Sequence, residues 1–245
     1  MTQYEAVLNT IERLGGIASL EQLNREVFKI SECLWKTRTP FASIRRIVQL
    51  HKGIYKIRPG LYGSVRFKTQ NEQKGAIVET AKNKDSKEVR EFSHAYYQGL
   101  LLSIGRLRRF NTFSPNQDKS KIFNNNILGE VRTLSQLPLF SYQHLVKKAS
   151  TIDVSWFNER NMPRAFFEVE HSTDIYNSLL KYIELQDFYA QFFIVADGKR
   201  LQEFKSKLSG TAFVGIAKRV QFESYDELDK LYAAEVAKST VPTLE

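Results

Sequence analysis

The sequence has little cysteine, and this limits the classes to which the protein can belong. Only one of its 245 residues is a cysteine, Cys33, so the chain can form no disulfide framework and no cysteine-based zinc site. This composition is typical of a reducing cytoplasm, where we expect the protein to reside. The N-terminus lacks the basic start and apolar run of a signal peptide, and the apolar stretches 99–104 and 192–196 are too short to cross a bilayer. The sequence therefore predicts a soluble protein.

Positive charge is abundant but unevenly distributed. The formal net charge is +9, yet residues 1–90 contain 17 Lys and Arg against 9 Asp and Glu, whereas residues 91–245 contain 19 against 18. A basic segment joined to a nearly neutral one indicates a dedicated contact with a polyanion, and nucleic acid is the first candidate. An acidic membrane surface is the second candidate, but no amphipathic helix with a large apolar face supports it.

The basic first third contains a short series of predicted elements. Apolar spacing predicts a helix over 4–14, a capping box of Ser19 and Gln22 begins a second helix that extends to about Ile30, and Pro40 begins a third. Residues 53–63 contain a Pro-Gly turn between two short strands, which predicts a hairpin. Three helices followed by a hairpin resemble a winged helix-turn-helix, and this resemblance covers residues 3–67.

In a winged helix the third helix lies in the major groove of DNA and the hairpin, or wing, contacts phosphates. The resemblance implies that the residues facing outward on the helix are Arg38, Ser43, Arg45, Arg46 and Gln49. It implies phosphate contacts for Lys52, Lys56, Arg58 and Arg66 of the wing. The alternative is a small α+β domain with an ordinary solvated basic face.

Polar residues 69–90 lack a sustained apolar period and predict a linker between a first domain, 1–68, and a second, 91–240. The second domain alternates helix and strand, which predicts a mixed sheet with helices on both faces. The predicted order is helix 91–107, strands 111–114, 151–157 and 165–170, helix 173–189, strand 191–196, helix 198–208, strand 213–222 and a last helix capped by Ser224.

Three carboxylates are predicted to meet at one edge of this sheet. Side chains alternate along a strand, so Glu168 and Glu170 point to the same side, and a hairpin can place Asp153 beside them. Like charges this close repel unless cations or protons compensate them. A hard divalent ion with oxygen ligands, Mg²⁺ or Mn²⁺, is the simplest compensation, so these three residues are the predicted metal ligands. The alternative is a solvated acidic strand edge.

This segment resembles the PD-(D/E)xK nucleases, which carry one acid on a strand and D/E-x-K on the next. Asp153 matches the first acid and Glu168 the second, whereas Glu170 stands at the usual lysine position, as in some type II restriction endonucleases. Lys181, on the following helix, is a possible substitute for that lysine. The resemblance covers about 92–222 and implies that the first helix supplies a polar group to the site. The candidates there are Glu91, His94 and Gln98.

Together the two resemblances imply a fold of mixed α+β and α/β class, in which a winged helix precedes a restriction-endonuclease-like mixed sheet flanked by helices. They imply a Mg²⁺-dependent, sequence-specific double-stranded DNA endonuclease that hydrolyses phosphodiester bonds. Cleavage of both strands implies a homodimer. One alternative is a DNA-binding regulator whose nuclease-like domain is inactive. The absence of the usual lysine, replaced by Glu170, is the feature that supports this alternative. Another is an RNA-directed or repair nuclease, although a helix that reads a major groove favours duplex DNA.

Overall fold

The chain divides into two units, residues 1–92 and 93–245. The computed structural model describes residues 1–80, 82–83, 86–124, 126–171 and 174–240. Part of the predicted linker, 81 and 84–85, and one end of the helix predicted from Thr173 lie outside the described residues. None of the described helices combines the length and apolar character that crossing a membrane requires.

The first unit contains the three helices and the hairpin that the sequence predicts. Its elements are α1 (Gln3–Arg13), β1 (Ile17–Ser19), α2 (Leu20–Glu26), α3 (Pro40–Leu50), β2 (Ile54–Arg58), β3 (Leu61–Ser64) and α4 (Lys68–Gln73). The capping box at Ser19 is confirmed, because its hydroxyl accepts from the Gln22 amide at 3.1 Å while the Gln22 side chain accepts from the Ser19 amide at 2.8 Å. The three strands form an antiparallel sheet in the order β1-β3-β2.

The hairpin contains a tight turn, and α3 has one buried apolar side and one exposed basic side. Gly60 adopts a φ of 72° between β2 and β3, a left-handed conformation that glycine reaches without strain. The α3 residues Ile44 and Val48 are buried, four positions apart and therefore on one side of the helix. The intervening positions Arg45 and Arg46 are exposed. The basic side chains of α3 are thus held outward by the burial of its apolar side.

A long helix, α5 (Lys87–Leu107), leads into the second unit. The strands that follow are β4 (Asn111–Phe113), β5 (Ile122–Phe123), β6 (Asn126–Ile127), β7 (Val154–Phe157), β8 (Pro163–Glu170), β9 (Gln191–Ala196) and β10 (Val220–Ser224). The helices are α6 (Leu128–Val131), α7 (Gln143–Ala149), α8 (Ile175–Ile183), α9 (Leu201–Leu208) and α10 (Tyr225–Thr240).

Five strands of this unit form a mixed sheet in the order β10-β9-β8-β7-β4. The central β8 pairs antiparallel with β7 and parallel with β9, as expected when a hairpin is followed by a helical crossover. Phe166 of β8 packs with α7, α8 and α9 in a buried apolar cluster on one face. On the other face the Trp156 indole nitrogen donates to the Leu101 carbonyl of α5 at 3.1 Å. The predicted mixed sheet flanked by helices is therefore confirmed.

Two predicted elements were too long. The strand expected over 213–222 is confined to β10, because Thr211–Phe213 forms a 3₁₀ turn and its Phe213 is buried in the apolar cluster. The helix expected over 173–189 is α8, which ends at Ile183. Buried apolar residues lie outside both elements: Phe213 and Ile216 precede β10, and Leu185 follows α8. Hydrophobicity alone therefore does not show where the strand begins or where the helix ends.

We predict that Phe166→Ala destabilises the second unit by about 3–5 kcal/mol, because Phe166 is fully buried in this cluster and its truncation leaves a cavity there. Tyr189→Ala is the matched control, since that ring is 91% exposed and its loss should change stability by less than about 0.5 kcal/mol. Urea unfolding followed by circular dichroism measures both. Equal midpoints for the two variants would contradict the core assignment.

Candidate active site

The hairpin of β7 and β8 brings the three predicted carboxylates to one end of the sheet. Asp153 lies immediately before β7, and its Oδ2 accepts a hydrogen bond from the Val169 amide of β8 at 2.8 Å. Val169 separates Glu168 from Glu170, and both glutamates are buried, with only 3% and 4% of their surface exposed. Alternation along β8 thus places the two glutamates on one side, as the sequence predicted.

Helix α8 supplies one cation and one hydroxyl to the two glutamates from its face of the sheet. The Lys181 ammonium donates to both carboxylate oxygens of Glu168, each at 2.9 Å, and also to the Thr151 carbonyl at 3.2 Å. The Ser178 hydroxyl lies 3.3 Å from Glu168 Oε2 and also contacts Glu170 Oε1. One hydroxyl proton can be donated to only one of these oxygens, so the second contact favours a protonated carboxyl.

Helix α5 contacts Asp153 with a second set of polar groups. The His94 Nε2 lies 3.1 Å from Asp153 Oδ2. The Gln98 side-chain amide donates to the Asp153 carbonyl at 3.1 Å and to Asp118 Oδ2 at 2.9 Å. Asp118 is 4% exposed, and the Lys121 ammonium lies 2.6 Å from its Oδ1. Spacing of four residues places His94 and Gln98 on the same side of α5.

Burial and mutual repulsion shift the pKa values of these groups in different directions. Burial, and secondly the charge of Asp153, raise the pKa of Glu168 well above its usual range despite the opposing effect of Lys181. Burial also raises the pKa of Glu170, which the Ser178 hydrogen bond only partly offsets. Burial alone would raise the pKa of Asp153, but His94 and the Val169 amide outweigh it and hold that pKa below its usual value. The site therefore favours one ionised aspartate beside glutamates that hold their protons more tightly.

The other predicted site residues occupy varied environments. The Glu91 side chain, near the start of α5, is 60% exposed and forms a surface ion pair with Lys87 at 3.8 Å. In the first unit Arg38, Arg45, Arg46, Gln49, Lys52 and Lys56 are exposed, and Ser43 is partly exposed. Arg38 precedes α3 rather than lying on it.

The structure corrects the prediction that Arg58 contacts phosphate, because this side chain is buried. Its guanidinium donates to the carbonyls of Ile57 at 2.8 Å and Ile77 at 3.1 Å, and only 4% of the residue is exposed. Glu79 lies 4.0 Å away as an ionic partner. A guanidinium held by backbone carbonyls inside the first unit stabilises the chain after β2 and is not presented as a free phosphate ligand.

Two polar residues complete the site that sequence reasoning did not assign to it. At Asp118 the sequence indicates first a turn and secondly a position near the site, and the residue lies in a 3₁₀ turn, Asn116–Asp118. Ser178 precedes Lys181 by three residues, so the two share a side of α8, and a small hydroxyl among apolar helix residues was the available signal. Neither signal identifies a partner, because each contact joins elements far apart in the chain.

The donor set fits a hard divalent cation. Asp153 and Glu168 supply carboxylate oxygens, the ligands that Mg²⁺ and Mn²⁺ prefer, and the Glu168 and Glu170 carboxylates both contact the Ser178 hydroxyl. The raised pKa of Glu168 shows that Lys181 alone does not compensate its buried charge. A divalent ion would supply the missing positive charge.

A family model described as the type II restriction enzyme NmeDI C-terminal domain matches residues 76–241, which is about two thirds of the chain. No curated protein and no solved structure matches the chain.

We predict that Glu168→Gln stabilises the protein in EDTA at about pH 8, raising the thermal midpoint by a few degrees. The pKa of Glu168 is raised on folding, so its ionisation costs folding free energy as the pH rises above the usual glutamate range. Below about pH 4 the carboxyl is protonated in both states, and the difference from wild type should disappear.

Thermal unfolding across this pH range measures the effect. Glu159→Gln, in the exposed turn between β7 and β8, is the matched control and should leave the midpoint unchanged. A lower midpoint for Glu168→Gln at high pH would show that the ionised carboxylate stabilises the fold.

Proposed function

Because the chain belongs to the family of the type II restriction enzyme NmeDI C-terminal domain, we propose that it is a metal-dependent, sequence-specific endonuclease of double-stranded DNA. The match alone supports a restriction-endonuclease-like nuclease. The observation that carries the finer proposal is the convergence of Asp153, Glu168 and Lys181 at the end of one hairpin. An acid on one strand, an acid on the next and a nearby ammonium are the groups of a PD-(D/E)xK site.

Asp153 and Glu168 are the proposed ligands of Mg²⁺ or Mn²⁺, with Glu170 as a third carboxylate beside them. When bound, the ion supplies Lewis-acid polarisation of the scissile phosphate. The Val169 amide and His94 fix the Asp153 carboxylate in place and keep it ionised. An ionised aspartate held by two donors is preorganised for binding a cation.

Two residues together take the role of the usual lysine: Glu170 as the proton acceptor and Lys181 as the positive charge. Hydrolysis requires that water adds to phosphorus, the bond from phosphorus to the leaving sugar oxygen breaks, and the proton of the water is accepted. Glu170 is the proposed acceptor, because burial brings its pKa closer to the working pH, where a general base is most effective. Lys181 places its positive charge at Glu168, where it can also face the phosphate.

The first unit is the proposed DNA-recognition module. Its helices and three-stranded sheet follow one another in the order of a winged helix, and α3 carries exposed Arg45, Arg46 and Gln49. Arginine and glutamine can each make paired hydrogen bonds to base edges in a major groove. Lys52 and Lys56 remain the proposed phosphate contacts of the wing. A homodimer, acting at a symmetric sequence, is proposed for cleavage of both strands.

The rival function is a DNA-binding regulator without catalysis. The observation that favours it is the Glu168–Lys181 ion pair, which already satisfies part of the charge of the site without a cation. Binding of DNA without cleavage under every metal and methylation condition would support this rival.

We predict that Asp153→Ala and Glu168→Ala each reduce cleavage of unmethylated plasmid to the level seen in EDTA, because each removes a ligand of the required cation. Discrete fragments with Mg²⁺ or Mn²⁺ are expected from the wild type, and gel electrophoresis measures them. DNA affinity in EDTA should be retained within about threefold, since the recognition surface is unchanged.

Asp187→Ala is the matched control, because Asp187 is an exposed acid of the same unit and should leave cleavage unchanged. Full activity in either Asp153→Ala or Glu168→Ala would contradict the site assignment. Fragments that form a continuous smear would contradict sequence specificity.

We predict that Arg45→Ala together with Arg46→Ala lowers specific DNA affinity at least about tenfold and weakens its dependence on salt, because each arginine contributes a base or phosphate contact. Fluorescence anisotropy with the inactive Glu168→Ala protein measures this without cleavage.

Lys218→Ala is the control, since Lys218 is an exposed cation of the second unit and its loss should have a small effect. An affinity equal to that of the parent protein would exclude α3 as the recognition helix.

A further inference from the structure

The exposed side of α3 changes in chemistry along the helix. Its first turn exposes Phe41 and Ala42, whereas the turns that follow expose Arg45, Arg46 and Gln49. Phe41, Arg45 and Gln49 are spaced four residues apart and therefore share one side of the helix. This surface thus begins with carbon and continues with hydrogen-bonding groups.

The Phe41 ring is supported by two other aromatic rings. Phe28 meets Phe41 edge to face with the ring centroids 5.8 Å apart, and Phe28 meets Trp35 in the same way at 5.3 Å. Edge-to-face contact is a preferred geometry of aromatic pairs. Phe41 nevertheless remains 42% exposed. These three rings, the aromatic row, therefore restrict the position of a large apolar side chain while leaving it open to solvent.

The serine of the same turn directs its proton back into the helix. The Ser43 hydroxyl donates to the Thr39 carbonyl at 3.4 Å. Serine makes such local bonds to a carbonyl one turn earlier in many helices, and the proton is then used within the helix. The first turn of α3 therefore offers a ligand mainly the carbon of Phe41 and Ala42.

Charge favours DNA over a second copy of the chain as the partner of this surface. Arg45 and Arg46 follow Phe41 on the exposed side of α3, and residues 1–90 contain 17 Lys and Arg against 9 Asp and Glu. Two copies of such a basic surface repel each other, whereas a polyanion is attracted to it.

The major groove contains one group that matches exposed carbon. The first residues of a recognition helix are those that contact base edges. Each base pair presents hydrogen-bonding groups there, but only thymine among the ordinary bases adds an apolar group, its C5-methyl. Cytosine methylated at C5 carries the same group at the same ring position. Alanine and phenylalanine side chains are among those that contact such a methyl.

We propose that Phe41, with Ala42 beside it, recognises the C5-methyl group of a pyrimidine in the major groove, in thymine or in 5-methylcytosine. This rests on the proposed function, in which the first unit recognises DNA. Arg45 lies one helical turn further along the same side, where it can donate to a neighbouring base. Because the aromatic row already restricts the Phe41 ring, little conformational freedom is lost when the ring meets the methyl.

The test measures DNA affinity without cleavage, in the full chain carrying Glu168→Ala and in EDTA. Bound duplexes are selected from two random pools, one made with cytosine and one with 5-methylcytosine, and the consensus is synthesised for fluorescence anisotropy. Deoxyuridine, which lacks only the methyl, then replaces each thymine in turn, and cytosine replaces each 5-methylcytosine. We expect the loss of one methyl to weaken binding about fourfold at the position that Phe41 contacts.

Phe41→Ala should remove this difference, so that duplexes with and without the methyl bind equally. Phe41→Leu should keep part of it, because leucine retains an apolar contact. Tyr189→Ala is the matched control, since this ring is 91% exposed in the second unit and its loss should keep the full difference. Affinity for a duplex outside the consensus measures whether Phe41→Ala is folded, because that affinity depends on the cations of the first unit.

The outcomes separate this inference from the proposed function. Equal binding with and without every methyl would overturn the methyl contact, and discrete fragments from the wild type would then leave the nuclease proposal in place. A methyl preference lost in Phe41→Ala, together with absent cleavage by the wild type, would support the contact and contradict the nuclease. A change confined to thymine positions would identify thymine, and one confined to the other pyrimidine would identify 5-methylcytosine.

Two further results would overturn the assignment to Phe41. One is a methyl preference that Phe41→Ala retains in full. The other is a dimer in sedimentation velocity that Phe41→Ala converts to a monomer, with equal binding of duplexes that have and lack the methyl. The second result would make another copy of the chain the partner of this surface.

Discussion

The second unit depends on holding carboxylates together out of water. Glu168 and Glu170 are each less than 5% exposed, and Asp153 lies beside the strand that carries them. Such a group is unfavourable unless opposite charges or protons approach it closely. Lys181 reaches it from α8 on one face of the sheet, and His94 reaches it from α5 on the other. Both helices must therefore pack near the same end of the sheet, which explains why two elements distant in sequence define one site.

Much of this site follows from the sequence because it lies on a hairpin. Alternation along β8 predicts that Glu168 and Glu170 share a side, and a hairpin partner predicts the position of Asp153. The contacts of Asp118 and Ser178 could not be predicted, because they depend on how a 3₁₀ turn and α8 pack against that hairpin. Local periodicity indicates which way a side chain points along its own element, but it does not identify the neighbour that it meets.

In the basic first unit, too, the sequence predicts the elements but not the surroundings of each charged side chain. Spacing of apolar residues and the capping box at Ser19 predicted its helices, and the Pro-Gly turn predicted its hairpin. Composition predicted a basic surface, yet one of the arginines in it, Arg58, is buried against backbone carbonyls. A count of charges assumes that every cation reaches solvent, whereas a guanidinium with five donors can also stabilise an interior segment. Each basic residue therefore has to be placed individually before it is assigned to a nucleic-acid contact.

The glutamate at the usual lysine position is compatible with the charge of such a site. An aspartate, a glutamate and a lysine together carry one net negative charge. In this protein, ionised Asp153 and Glu168 together with Lys181 also carry one net negative charge. The whole site keeps that charge only if Glu170 is neutral. Burial raises the pKa of Glu170. The Ser178 hydroxyl contacts both glutamates but can donate its proton to only one of them, so the other contact is a hydrogen bond only if that glutamate is protonated. Moving the ammonium from β8 to α8 thus preserves the charge of the site as long as Glu170 holds its proton, and Glu170 can serve as a base only after it has lost that proton.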